Sequence, residues 1–240
     1  MEHIIIGNGI IALTTAFRLL KKLAPTDNIS IIGPKNRPGS ATLAAAAMLN
    51  SFGEIESHSL KSDTDMYHFE LSRQAAKMWP NFELELTQAA KEQLPVGYAK
   101  HKFHNDGFLN QGTYVINNAA ADCLDDQNFD SIVRALETYN EKFDFVDPRD
   151  IPNYSPAQKS RAIRALLIHN EGWLNPRMVI EKLDSILINS PQIKFINAKA
   201  DKLILATNSI VAVVLENGVA IKGDIFLLAN GSMAGNVLKQ

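Results

Sequence analysis

The segment Ile4-Ile5-Ile6-Gly7-Asn8-Gly9-Ile10-Ile11-Ala12 constrains this chain more than any other. Its β-branched run predicts a buried strand, and its two glycines predict a tight turn. Ile10, Leu13, Ala16, Phe17, Leu20 and Leu23 then recur at helical spacing, with Lys21 and Lys22 in the last turn and Pro25 beyond the end. A second apolar strand over Ile29 to Ile32 completes a βαβ unit. In such a unit the first glycine permits the turn and the second lets a pyrophosphate approach the backbone. A small third residue, here Ala12, lets the helix pack on the strand. The helix N-terminus offers N–H groups and a partial positive charge worth about 0.3–1 kcal/mol at exposed sites, enough to orient a phosphate. Gly7, Gly9, Ile10, Ile11 and Ala12 are therefore candidate phosphate contacts. The bland reading is a βαβ unit with no nucleotide.

Dinucleotide folds normally close the second strand with Asp or Glu, which bonds the adenosine ribose hydroxyls. Here the strand ends at Gly33, and Asp27 precedes it. Lys35 and Arg37 follow closely, a pair that suits a 2′-phosphate, so NADP stays open on the residues alone.

The next stretch, Arg37-Pro38-Gly39-Ser40-Ala41-Thr42-Leu43-Ala44-Ala45-Ala46-Ala47-Met48-Leu49-Asn50, resembles the second flavin-contacting segment of the D-amino-acid oxidase superfamily, in its glycine and sarcosine oxidase branch. There a small-residue pair leads into an alanine-rich stretch and a Gly-Met-Leu-like turn beneath the flavin. Small side chains at those positions let backbone approach the cofactor. By composition alone the run also reads as a plain alanine-rich helix. The resemblance continues through Gln111 to Ile116, like a substrate-domain strand, and Gly172-Trp173-Leu174-Asn175-Pro176-Arg177, like the turn before a long helix. Lys194 to Ile196 with Ala198 to Leu203 resembles the return to the nucleotide domain, with Ala200 in the adenine-contacting position. Asp224 to Ser232 resembles the closing strand and its Ala-x-Gly turn at Ala229 and Gly231.

The resemblance implies an α/β fold: a Rossmann-like FAD-binding domain with an inserted mixed α+β substrate domain, its C-terminal part missing. The expected boundaries are 1–84 for the first part of the FAD-binding core, 85–190 for the substrate-type domain and 191–240 for the return. The implied cofactor is FAD, contacted by Lys35, Arg37, Ser40, Ala41, Thr42, Ala46, Ala47, Met48, Ala200, Ala229 and Gly231 as well as the glycine turn. The implied chemistry is oxidation of an amine or amino acid by hydride transfer to flavin, giving an imine and peroxide, with no single catalytic residue assigned. In the family the substrate-binding arginine and the last flavin loop lie beyond the position matching Gly231. A second polypeptide supplying that half is therefore the expected partner. The alternatives are a non-catalytic FAD- or nucleotide-binding subunit and an NADP-dependent reductase.

Composition narrows the rest. A net charge of -2 gives no reason to expect nucleic acid or an anionic membrane. The N-terminal apolar run is broken by glycines and lacks a basic lead, and no stretch reaches the ~18 apolar residues of a membrane span. A single cysteine, Cys123, excludes an internal disulfide and sits among Asp122, Asp125 and Asp126, the opposite of an activating environment. These features predict a cytoplasmic protein. His101, His104 and Asp106 read as solvated surface rather than metal ligands, and Glu54, Glu56 and His58 as a solvated connection. Ser40 lacks the Gly-x-Ser-x-Gly elbow of a hydrolase. Helices are expected with Leu71, Ala75 and Met78 at helical spacing, ending at Trp79-Pro80, and from near Asp125 or Asp126, burying Phe129, Ile132, Val133, Leu136 and Tyr139. Another follows Pro176 with Ile180, Leu183, Ile186 and Leu187. Hairpins are expected around Asn208 and Asn217-Gly218.

Overall fold

Ile4, Ile5 and Ile6 end the strand β1 (Glu2–Ile6), which lies inside a four-stranded parallel sheet. The computed structural model describes residues 1–93, 107–118 and 122–238. The sheet order is β10 (Ile225–Leu228), β1, β2 (Asn28–Ile32), β6 (Ile193–Ile196). Ile4 pairs in register with Phe226 on one side and Ser30 on the other. Because alternate residues face opposite sides, an all-isoleucine strand suits a sheet covered on both.

One cover is helical: α1 (Ile10–Leu20) packs against α5 (Pro176–Ile188). α1 buries Ala12, Leu13, Ala16 and Phe17, and α5 buries Val179, Ile180, Leu183, Ile186 and Leu187. The other cover is the antiparallel meander β7 (Ala200–Ala206), β8 (Ser209–Leu215) and β9 (Ala220–Lys222), turning at Asn208 and at Asn217-Gly218 as expected. Val213 and Leu215 meet Ile4, Ile6 and Ile32 in one apolar cluster.

The second sheet is antiparallel, in the order β3 (Leu109–Asn118), β5 (Ala162–Leu174), β4 (Phe143–Val146). Phe52, Ile55 and Phe69 cluster with Leu166 and Ile168 of β5 and with Phe129, Ile132, Ala135 and Leu136 of α4 (Cys123–Thr138). Arg73 lies over three rings of this cluster, 5.5 Å from Phe52, 5.6 Å from Phe69 and 4.7 Å from Tyr139.

The chain divides into two compact units. The first comprises Met1–Ala45, Glu85–Asp106 and Pro176–Gln240, and the second Ala46–Leu84 and Gly107–Asn175, described residues only. These limits differ from the sequence boundaries at 84 and 190. Phe52, Ile55 and Phe69 bury themselves with the antiparallel sheet, which gives 46–84 to the second unit. The contact of α5 with α1 gives 176–188 to the first.

Two helices correct the sequence expectation. α3 (Asp63–Gln93) continues through Pro80, and Leu71, Ala75 and Met78 lie outward. Its buried positions are Phe69, Leu86 and Ala90, with Arg73 and Ala76 half-buried between them, so burial on the other face carries the helix past the missing proline donor. α4 begins two or three residues earlier than expected because Asp122 caps it, its carboxylate accepting from the N–H groups of Leu124 and Asp125 at 2.9 and 3.2 Å. Among the described residues no helix is long and apolar enough to cross a membrane.

Candidate functional site

The glycine turn sits at the C-terminal end of β1, where open α/β sheets bind ligands. Gly7 donates its N–H to the Ile32 carbonyl at 2.8 Å and adopts φ +119°. A Cβ there would overlap the carbonyl of Ala229, whose own N–H donates to the Ile6 carbonyl at 2.7 Å. Only glycine fits, on backbone and on space. Gly9 caps α1 without a side chain, and a Cβ there would stand 3.4 Å from Thr42 Oγ1. That hydroxyl accepts the Ile10 N–H at 3.2 Å. Ile11 faces solvent, and Ala12 is fully buried against the sheet as expected for the third small residue.

Arg37 is tied to the same turn. It adopts φ +46°, its Nε donates to the Asn8 carbonyl at 2.8 Å, and its terminal nitrogen meets Asp184 at 2.5 Å. The side chain is only 11% exposed, so its charge is taken up within the fold. Lys35 is exposed, and its backbone N–H donates to Asn197 Oδ1 at 2.8 Å. Ala229 and Gly231 flank Asn230, whose Oδ1 is buried and has no hydrogen-bond partner among the described residues. A buried acceptor without a partner among the described residues fits a bound hydrogen-bond donor. Ala200 opens β7 and packs into the Ile4–Leu215 cluster, apart from these contacts.

The alanine run is not a continuous helix. Ser40 caps a single turn, α2 (Ala41–Ala44), accepting from the Leu43 N–H at 3.4 Å. Ala45 is extended and Ala47 adopts φ +55°. Ala46, Ala47 and Met48 belong to the second unit, where Met48 bridges Trp173. Leu49 donates its N–H to the Gly172 carbonyl at 2.7 Å, and Leu174 to the Ala47 carbonyl at 3.1 Å. Just beyond, Glu171 accepts the N–H groups of Ser51, Phe52 and Gly53 at 2.5, 2.5 and 3.1 Å. Burial pushes the Glu171 carboxyl above the usual glutamate range, partly opposed by those three donors, and the Glu141 charge adds to the rise.

Sequence reasoning passed over Asn8, Glu171, Asp184 and Asn230. Asn8 was findable, since it stands between the glycines of a turn whose acidic partner is missing. Glu171 and Asp184 carry no local signal, because their partners lie 118 or more and 147 residues away. Among the described residues no group of three or more His, Cys, Asp or Glu could hold a metal ion. His101, His104 and Asp106 lie outside the described residues. His58 pairs with Glu56 at 3.2 Å, both well exposed.

Comparison with known proteins follows the same lines. A family model described as FAD dependent oxidoreductase matches residues 2–240. A search of curated proteins gave no significant match. Among solved structures, iminodiacetate oxidase from Chelativorans sp. BNC1 is similar with a TM-score of 0.69 at 20% identity, over 99% of this chain and 57% of that one. Glycine oxidase from Bacillus cereus ATCC 14579 gives a TM-score of 0.70 at 16% identity, over 99% and 57%. Glycine oxidase from Geobacillus kaustophilus gives 0.71 at 16%, over 98% and 56%. At these identities the likeness is one of fold, and the chain spans little more than half the length of these relatives.

Proposed function

The chain belongs to the family of FAD-dependent oxidoreductases, and on that premise we propose that it is the FAD-binding part of an amino-acid or amine oxidase completed by a second polypeptide. The observation that carries the reading is the turn at Gly7–Gly9. Gly7 admits no side chain, on backbone and on space, and the backbone of Asn230, whose Oδ1 has no partner among the described residues, lies against it. Gly9 and the first turn of α1 would hold the pyrophosphate, with N–H groups and helix dipole facing the negative charge. Arg37 fixes the turn by gripping the Asn8 carbonyl from Asp184. Thr42 holds the first N–H of α1 in place. When bound, FAD supplies the hydride-accepting centre, and the protein's share is binding, orientation and exclusion of water.

One feature supports a second polypeptide. β10 is an outermost strand of its sheet, with one side unpaired among the described residues. Such an edge offers N–H and C=O groups to an incoming strand. The names of the similar glycine and iminodiacetate oxidases suggest a small amino or imino acid as the substrate class.

Native mass spectrometry of the untagged protein from its own source tests this reading. A complex holding this chain, a companion polypeptide and the mass of FAD is expected, with a flavin spectrum that an amino acid bleaches anaerobically. The chain alone and without FAD would overturn it.

A further inference from the structure

The end of β2 lacks the acid that dinucleotide folds place there, and the structure shows what fills its space. A Cβ built on Gly33 would stand 2.5 Å from Cγ, 2.7 Å from Oδ1 and 2.8 Å from Nδ2 of Asn8. The amide of Asn8 thus occupies the room of any side chain at position 33. It is held there from two directions. Asn8 Nδ2 donates to the Pro34 carbonyl at 2.9 Å, and the Asn8 carbonyl accepts from Arg37 Nε at 2.8 Å. The niche is closed by the Gly33 N–H on the Ile196 carbonyl at 3.0 Å and the Lys35 N–H on Asn197 at 2.8 Å. With Nδ2 engaged, Oδ1 of Asn8 is a hydrogen-bond acceptor with no partner among the described residues.

Resting on the dinucleotide reading above, we propose that Asn8 Oδ1 accepts the adenosine ribose hydroxyl in place of the usual carboxylate, and that Asn8 and Gly33 form one coupled specificity element. An amide oxygen is neutral and offers one oxygen where a carboxylate offers two, so the ribose is held more loosely. It also repels no negative charge, so a phosphate on the 2′-oxygen meets no electrostatic bar. A side chain at position 33 must displace the Asn8 amide from this place.

The test uses the purified protein and three probes measured by calorimetry: ADP, its 2′-phosphorylated form and inorganic pyrophosphate. Wild type is expected to bind ADP and 2′-phospho-ADP within a few-fold of each other. Asn8→Ala should weaken ADP by about tenfold, the scale of one lost hydrogen bond, and leave pyrophosphate, which has no ribose, unchanged. Gly33→Glu should lose ADP through collision with Asn8. The double variant Asn8→Gly/Gly33→Glu should recover it and reject 2′-phospho-ADP by tenfold or more. Thermal melts of each variant separate loss of folding from loss of binding. An Asn8→Ala protein that binds ADP as wild type does, or that loses pyrophosphate equally, overturns the assignment. Absence of ADP binding to folded wild type removes the dinucleotide reading and this inference with it.

Discussion

Glu171 accepts the backbone N–H of Ser51 at 2.5 Å across 120 residues of sequence, and the same oxygen accepts Phe52. One carboxylate therefore fixes the chain just after the Ala46–Met48 segment. Ser51, Phe52 and Glu171 are all under 10% exposed, so water does not replace these bonds. Glu171→Ala is expected to cost about 2–4 kcal/mol, the scale of leaving buried donors unpaired beside a lost charged acceptor. Glu171→Gln, which keeps one acceptor oxygen, should cost less than half of that. Urea denaturation of the two variants checks both values, and equal costs would show that the amide oxygen takes over none of the three N–H bonds.

The same residue sets a pH dependence. Its carboxyl is raised in the fold by burial, against the three N–H donors. In the window between the ordinary glutamate value, about 4.3, and the raised one, the folded state binds more protons than the unfolded. Stability from this group is fully present below the unfolded value and is lost as pH rises through the folded one. The stability of wild type relative to Glu171→Gln should therefore fall as pH rises from the ordinary glutamate range through the raised one. Parallel denaturation curves across that range read the difference directly. A difference that grows with pH would reverse the sign and remove burial as the governing cause.

The two glycines of the turn should separate under substitution. Gly7→Ala places a Cβ on the Ala229 carbonyl at a φ of +119° and should destabilise the first unit by about 2 kcal/mol or more. Gly9 has an ordinary φ of −79° and a nearest neighbour at 3.4 Å. Gly9→Ala should cost under about 1 kcal/mol of stability and yet weaken FAD binding by tenfold or more, because the added methyl stands where the pyrophosphate approaches. Melting curves beside a flavin titration show the split.

These outcomes also mark what the sequence made legible. The βαβ unit, the meander and its turns were readable because each rests on local rules: β-branched runs, helical spacing, and Asn-Gly at a hairpin. The phase of α3 was not. Leu71, Ala75 and Met78 form a regular apolar row, but the row that packs contains Phe69 and Arg73, whose guanidinium lies over Phe52 and Tyr139. Spacing finds an apolar face without saying which partner exists for it. In the site, Gly7 was legible as a conformational necessity. The groups that fix the site, Arg37 with Asp184 and Glu171 with Ser51, join residues far apart in sequence, and only the fold brings them together.

Arg37 and Asp184 provide the last test, because their pair joins the segment after β2 to α5 and ends on the turn itself. Arg37 uses two different nitrogens, one on the Asn8 carbonyl and one on the carboxylate. A lysine has a single point of attachment and cannot hold both. Arg37→Lys should therefore cost about 1–2 kcal/mol although charge is conserved. Asp184 is one-third exposed, which screens its share of the pair. A double-mutant cycle of Arg37→Ala with Asp184→Ala should give a coupling of about 1 kcal/mol. If Arg37 acts on the ligand through Asn8, Arg37→Lys should weaken ADP more than Asp184→Ala does, even where the two variants melt alike. Equal ADP affinities in those variants would reduce Arg37 to a structural tie.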